Sequence, residues 1–192
     1  MSTNKLIVGI IILGLILGGV IYMGGSRDVG QQVKTPEFKT YVSDTLGIKF
    51  DYPQNYILDE RNTGSGARGR YTISLFEDTP GNRALLNGEV QGEGPTSISV
   101  DIFQNDLDKE NAYKWVTGNA NSNFKLGNGE LASTTVSGIA ALDYTWSGLY
   151  EGRSKVVSTP NYIYMFSVTR LNPDDQILKD FETVIDSVII TQ

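Results

Sequence analysis

The sequence predicts an α+β fold: a single antiparallel β-sheet flanked by helices and preceded by one N-terminal transmembrane helix. Three patterns carry this expectation. Apolar and polar side chains alternate at period two through several short stretches, two other segments follow a helical period instead, and an uncharged apolar run opens the chain. Strands cluster in one part of the order and helices stand apart from them, unlike the strict alternation of a parallel α/β sheet.

The apolar run is Leu6–Gly25, "LIVGIIILGLILGGVIYMGG". At about 1.5 Å per residue it reaches about 30 Å as a helix, the thickness of a bilayer's hydrocarbon core. Residues 1–25 therefore read as a signal anchor. The rival reading is a cleaved signal peptide releasing a secreted domain, but such peptides have apolar regions of about 7–15 residues ending in an Ala-x-Ala site. Here the run is longer and lacks alanine, although Gly24-Gly25-Ser26 stands in the place of a cleavage site. The only positive charges before the span are Lys5 and the amino terminus, and with so short a leading segment the simplest topology keeps the N-terminus inside and sends the C-terminal body outside the cytoplasm. Gly14 and Gly18 form a G-x-x-x-G spacing through which two such helices could pair, a weak signal because glycine is common in spans. A pilin-type assembly helix would need a glutamate and a Gly-Phe processing site, which are missing.

Residues 26–39 are polar and aperiodic and read as a linker, so the domain is expected from residue 40 to 192. "GIKFDYPQNY" (47–56) places Ile48, Phe50 and Tyr52 on one face of a strand that Pro53 ends, since proline has no N–H to donate. Tyr52, Pro53 and Tyr56 then read as the closure of a first hairpin. "RYTISLF" and "TSISVDIF" repeat the alternation. "IAALDYTWSGLY", "GRSKVVS" and "NYIYMFSVTR" follow with short connections, a meander; "YIYMFSV" is apolar on both faces and is expected at the centre, covered on both sides. In "DLDKENAYKWVTGNA", Asp106 or Asp108 would cap a helix carrying Ala112, Val116 and Ala120. In "NPDDQILKDFETVIDSVII", Asn172 would cap, Pro173 would take the first turn, and Ile177, Leu178, Phe181, Val184, Ile185 and Val188 form one stripe. Gly81–Gly94 reads as a glycine-rich loop.

Composition narrows the chemistry. From Tyr41 onward the chain has 12 Lys plus Arg against 20 Asp plus Glu, a charge of −8 that disfavours nucleic acid. Cysteine and histidine are both absent, which removes disulfides, thiolate catalysis, the commonest zinc ligands and the base of most Ser or Cys triads.

Three features together resemble the Mog1/PsbP-like superfamily: the "Gly-Ile-x-Phe-x-Tyr-Pro-x-x-Tyr" opening at Gly47–Tyr56, the strand pair around "TTVSGIAALDYTW", and the closing "F-x-x-x-I-x-S-V" at Phe181–Val188. The resemblance runs from about Tyr41 to Ile190. It implies a single antiparallel sheet with flanking helices, and roles as assembly subunits, as partners of a small GTPase or as bacterial envelope proteins. The histidines some plant members use for metals have no counterpart here, so metal and photosystem roles are not carried over.

Reactive motifs are weak. Gly64–Gly69 matches G-x-G-x-x-G, yet it joins two strands instead of opening a helix after a parallel strand. Ser122 and Lys125 match S-x-x-K without its companion motifs. Asp106, Asp108 and Glu110 start like a calcium loop, but Asn111 and Thr117 stand where glycine and glutamate are needed. Tyr144, Trp146, Tyr162 and Tyr164, at strand spacing on the meander, are either core residues or an aromatic binding patch for protein, peptide or glycan. The sequence thus favours a non-enzymatic, membrane-anchored envelope protein that uses no cofactor and whose extracytoplasmic domain binds a protein partner. The alternative is an extracytoplasmic hydrolase acting through carboxylates or a serine without histidine.

Overall fold

The structure, a computed structural model, describes residues 37–63 and 69–191. The expected span Leu6–Gly25 with Gly14 and Gly18, the linker as far as Pro36, and the glycine motif from Gly64 to Arg68 lie outside the described residues. Among those described, no helix is long and apolar enough to cross a membrane.

Among the described residues ten strands and three α-helices follow in the order β1 (Phe38–Ser43), β2 (Ile48–Pro53), β3 (Tyr56–Thr63), β4 (Arg70–Glu77), α1 (Pro80–Leu86), β5 (Ile98–Gln104), α2 (Ala112–Gly118), β6 (Ala132–Val136), β7 (Ile139–Ser147), β8 (Glu151–Ser158), β9 (Tyr162–Arg170), α3 (Gln176–Ser187) and β10 (Ile189–Ile190). The α+β class holds, but the single sheet does not. There are two sheets, one of seven strands in the order β3-β4-β5-β9-β8-β7-β6 and one of three in the order β1-β2-β10, with every pairing antiparallel.

The split falls at Pro53. β2 pairs with β1 and β10, whereas β3 pairs with β4, so Tyr52, Pro53 and Tyr56 do not close a hairpin. The chain crosses between sheets there, held by Gln54 N–H to Glu37 C=O (2.8 Å) and Asp78 N–H to Asn55 C=O (2.7 Å). Period-two alternation assigns each strand a buried face but not the sheet in which that face lies.

β9 occupies the middle of the large sheet and is buried on both faces, as its run of apolar residues predicts. On one face Ile98, Val100 and Ile102 of β5 join Phe166 and Val168 of β9, Ile48 and Phe50 of β2, and the α3 stripe Ile177, Phe181, Val184 and Ile185. On the other, Phe103, Val156, Ile163 and Met165 meet Trp115 and Val116 of α2. Helix α3 is fastened at its flanks: the buried Lys155 side chain puts its ammonium 2.7 Å from Glu182 and 5.7 Å from the Phe181 ring centroid, and Arg153 bridges Asp143 and Glu182. Tyr56 donates to the Asp180 carboxylate at 2.8 Å, tying β3 to the same helix.

Helix boundaries differ from the sequence expectation at each cap. Asn111, and neither Asp106 nor Asp108, caps α2, its side chain accepting from Lys114 N–H at 2.9 Å. The Asp175 carboxylate turns back to accept from the Leu171 and Asn172 N–H groups, so α3 begins at Gln176, after Pro173 and not with it. The glycine-rich stretch contains α1, whose Thr79 cap and Pro80 in the first turn are ordinary start signals.

Phe181 is fully buried between the two sheets, so Phe181→Ala is expected to lower unfolding free energy by about 3–5 kcal/mol in a urea titration. The tyrosines predict alkaline sensitivity. Burial, followed by the hydrogen bond to Glu60, pushes Tyr41 up to about 12, and burial with Tyr162 nearby pushes Tyr164 up to about 12; burial and the Asp180 carboxylate raise Tyr56 as well. Each raised value means that the fold favours the neutral phenol. That stabilisation is present below the ordinary value of 10.0 and is lost as pH climbs from there through about 12. Circular dichroism followed against tyrosinate absorbance should show unfolding within this window, not below it.

Candidate functional site

The four aromatic residues singled out on the meander do not form one patch. β8 lies between β7 and β9, and the register sends the two pairs to opposite faces: Tyr144 stands opposite Ser154 and that in turn opposite Ser167, whereas Tyr164 stands opposite Val157 and that opposite Ala141. Sequence spacing fixes that Tyr144 and Trp146 share a face, and likewise Tyr162 and Tyr164, but not which face each pair takes.

Tyr144 and Tyr164 are core residues. Tyr144 donates to the Ser122 carbonyl at 2.5 Å and meets the Phe124 ring edge-on at 5.6 Å; burial pushes its hydroxyl far above the usual phenol range. Tyr164 donates to the Leu46 carbonyl at 2.8 Å. Its neighbour Tyr162, half-buried, donates to the Thr45 carbonyl at 3.2 Å, and the two rings tilt together 5.9 Å apart. These two tyrosines line a polar cavity of about 490 Å³ with Asp44, Gln104, Asp106, Asn161 and Thr191. Their hydroxyls are turned to carbonyls of the β1–β2 turn, so they brace that wall.

Trp146 is the one of the four that reaches a surface of apolar character. Its indole covers Gly152, where a Cβ would come within 2.2 Å of the ring, so glycine at 152 is a steric requirement of the aromatic lid. The indole N–H donates to Ser154 Oγ at 2.9 Å, and that hydroxyl shares a hydrogen bond with Ser167 Oγ at 2.8 Å. The ring edge lies near Gly148, as does a methyl of Leu126. Leu126 is 54% exposed and Leu149, at the tip of the β7–β8 hairpin, 67%. Leu171, also exposed, follows Arg170, the register partner of Glu151 at the base of that hairpin. Tyr150 donates to the Gly94 carbonyl at 2.7 Å and fixes the hairpin tip against the preceding loop.

Trp146 with Leu126 beside it, together with the exposed Leu149 at the adjoining hairpin tip, is therefore the candidate site, called here the ledge. Sequence reasoning missed both leucines. The available signal was a leucine set among glycines in a turn, "KLGNG" and "SGLYEG", where turn geometry has no use for an apolar side chain.

The reactive motifs resolve into structural roles. Ser122 is buried and its Oγ donates towards the Val116 and Asn119 carbonyls at 2.7 and 2.8 Å, closing the turn after α2. The strands flanking the glycine motif pair antiparallel, Thr63 opposite Arg70, as in a hairpin and unlike a dinucleotide site. Glu110 pairs with Lys114 at 3.1 Å, and its backbone is gripped by the buried amide of Asn105, which also holds the Thr159 carbonyl. Among the described residues no group of three or more acids could hold a metal.

Comparison with known proteins bears on the fold. The solution structure of cyanobacterial PsbP (CyanoP) from Synechocystis sp. PCC 6803 superposes with a TM-score of 0.53 at 14% identity, over 83% of this chain and 96% of that one. A crystal structure from Bacteroides thetaiotaomicron VPI-5482 gives 0.45 at 14% identity, over 80% of this chain and 48% of that one. No curated protein matches the sequence. The model of the family described as PsbP-like protein matches residues 6–190, nearly the whole length, and the chain therefore belongs to the PsbP-like family.

Proposed function

We propose that this is a non-enzymatic, membrane-anchored envelope protein whose extracytoplasmic domain binds a protein partner through the ledge of Leu126, Trp146 and Leu149. The observation that carries the reading is the placement of these residues. Trp146 and Leu126 approach the same point at Gly148, the exposed Leu149 is the next residue of that turn, and the indole is held from beneath through Ser154 to Ser167. Tryptophan so held is preorganised, loses little conformational freedom on contact, and is the side chain most enriched at the energetic centres of protein interfaces. The uncharged run Leu6–Gly25 supports the anchor, and membership of the PsbP-like family is compatible with an interaction role.

A photo-crosslinking residue at Leu149 in cells making the full-length protein is expected to give a discrete adduct of higher mass, weakened several-fold by Leu126→Asp and absent when the crosslinker stands at Lys179 on α3. Equal adducts from both positions, or none from Leu149, would count against the ledge. Protease added to intact cells is expected to digest the domain, and full protection would reverse the proposed orientation.

A further inference from the structure

The three-stranded sheet has one face in the core and one in solvent. Its inner face holds Ile48, Phe50 and Tyr52, all buried. The register places Val42 of β1, Lys49 of β2 and Ile189 of β10 side by side on the outer face, with Thr40 and Asp51 in the next row and Phe38 beyond. Phe38 is 46% exposed, Val42 58% and Ile189 50%. Apolar side chains on the open face of a narrow sheet are what a covered face carries, and no described element covers this one.

Two observations bear on what could cover it. The first is where the described chain begins. Only residues 26–37 lie in sequence between the uncharged run Leu6–Gly25 and Phe38, so β1 is the first described element after that run. The second is charge. The body carries −8 from Tyr41 onward and is repelled as a whole by anionic lipid, but this face carries one cation, Lys49, and one anion, Asp51, whose Oδ1 already accepts from Thr40 Oγ1 at 2.6 Å. It is a neutral face with exposed apolar side chains, and its first strand, β1, is the described element that follows the uncharged run most closely in sequence. A lysine flanked by valine and isoleucine can lay its stem along them and hold its ammonium at phosphate depth. The contact need not be strong, because the tether makes it intramolecular and sets a high effective concentration.

We propose that the outer face of the three-stranded sheet, Phe38, Val42 and Ile189 around Lys49, rests on the lipid headgroup surface of the membrane that anchors the chain. This rests on the anchor reading, and the experiment separates the two. Because the chain has no cysteine, single substitutions Val42→Cys, Ile189→Cys and Leu149→Cys in the full-length protein can each carry one nitrobenzoxadiazole label. The protein is reconstituted into vesicles of equal parts phosphatidylcholine and phosphatidylglycerol, with or without headgroup-level nitroxide lipid, and far-ultraviolet circular dichroism confirms that each variant is folded. Labels at 42 and 189 are expected to shift to shorter wavelength and to be quenched by the nitroxide lipid several-fold more than the label at 149, and Lys49→Glu should reduce that difference. If the protein floats with the vesicles but the labels at 42 and 189 are quenched no more than that at 149, the face does not lie on lipid and the anchor stands. Labels shielded from aqueous iodide yet untouched by the nitroxide lipid would mean that a second copy or another protein covers the face, which also overturns the proposal. Failure to float with the vesicles would overturn the anchor and this inference together.

Discussion

The structure depends on β9 being apolar on both sides. A strand that presents Tyr164, Phe166 and Val168 one way and Ile163 and Met165 the other must be covered twice, since either face left in water forfeits burial of several large side chains. One layer cannot do this. The chain supplies α3 together with the three-stranded sheet on the first side, and the shorter α2 with its following turns on the second.

The two layers are held differently. Against α3 the cover is apolar in the middle and ionic at the margin, where Lys155 and Arg153 reach Glu182 from β8. Lys155 is buried, and its charge is tolerated because a carboxylate and an aromatic face both meet it. Against α2 the polar groups are hydroxyls and amides instead: Ser154 with Ser167, Ser122 with backbone carbonyls, Asn105 with the loop leading into the helix. Among the described residues every deeply buried polar side-chain atom has a partner. Polar groups so occupied stiffen the scaffold under Trp146.

The sequence and the structure part company where contacts are long-range. Pro53 marks a strand end equally well whether the chain turns back or crosses to another sheet, and only the pairing of β2 with β1 and of β3 with β4 makes it a crossing. Asn111, and not the two nearby aspartates, is the cap where the loop before α2 is pinned by Asn105, which holds Glu110 and, from far along the chain, the Thr159 carbonyl. The aromatic patch read from Tyr144, Trp146, Tyr162 and Tyr164 separates into two faces because β8 inserts between the strands that carry them.

What the sequence determined by itself was local and periodic: the antiparallel strands, the apolar stripe of α3, the doubly buried centre at β9, and the lack of any cysteine or histidine chemistry. These follow from side-chain spacing and residue type, which a linear string carries in full. Only the tertiary structure decided that the described residues form two sheets, that Tyr144 and Tyr164 are fully buried while Trp146 is half-buried, and that Leu126 arrives beside it from another part of the chain. Those outcomes depend on strand order and on the close approach of residues distant in sequence, and no local pattern encodes either.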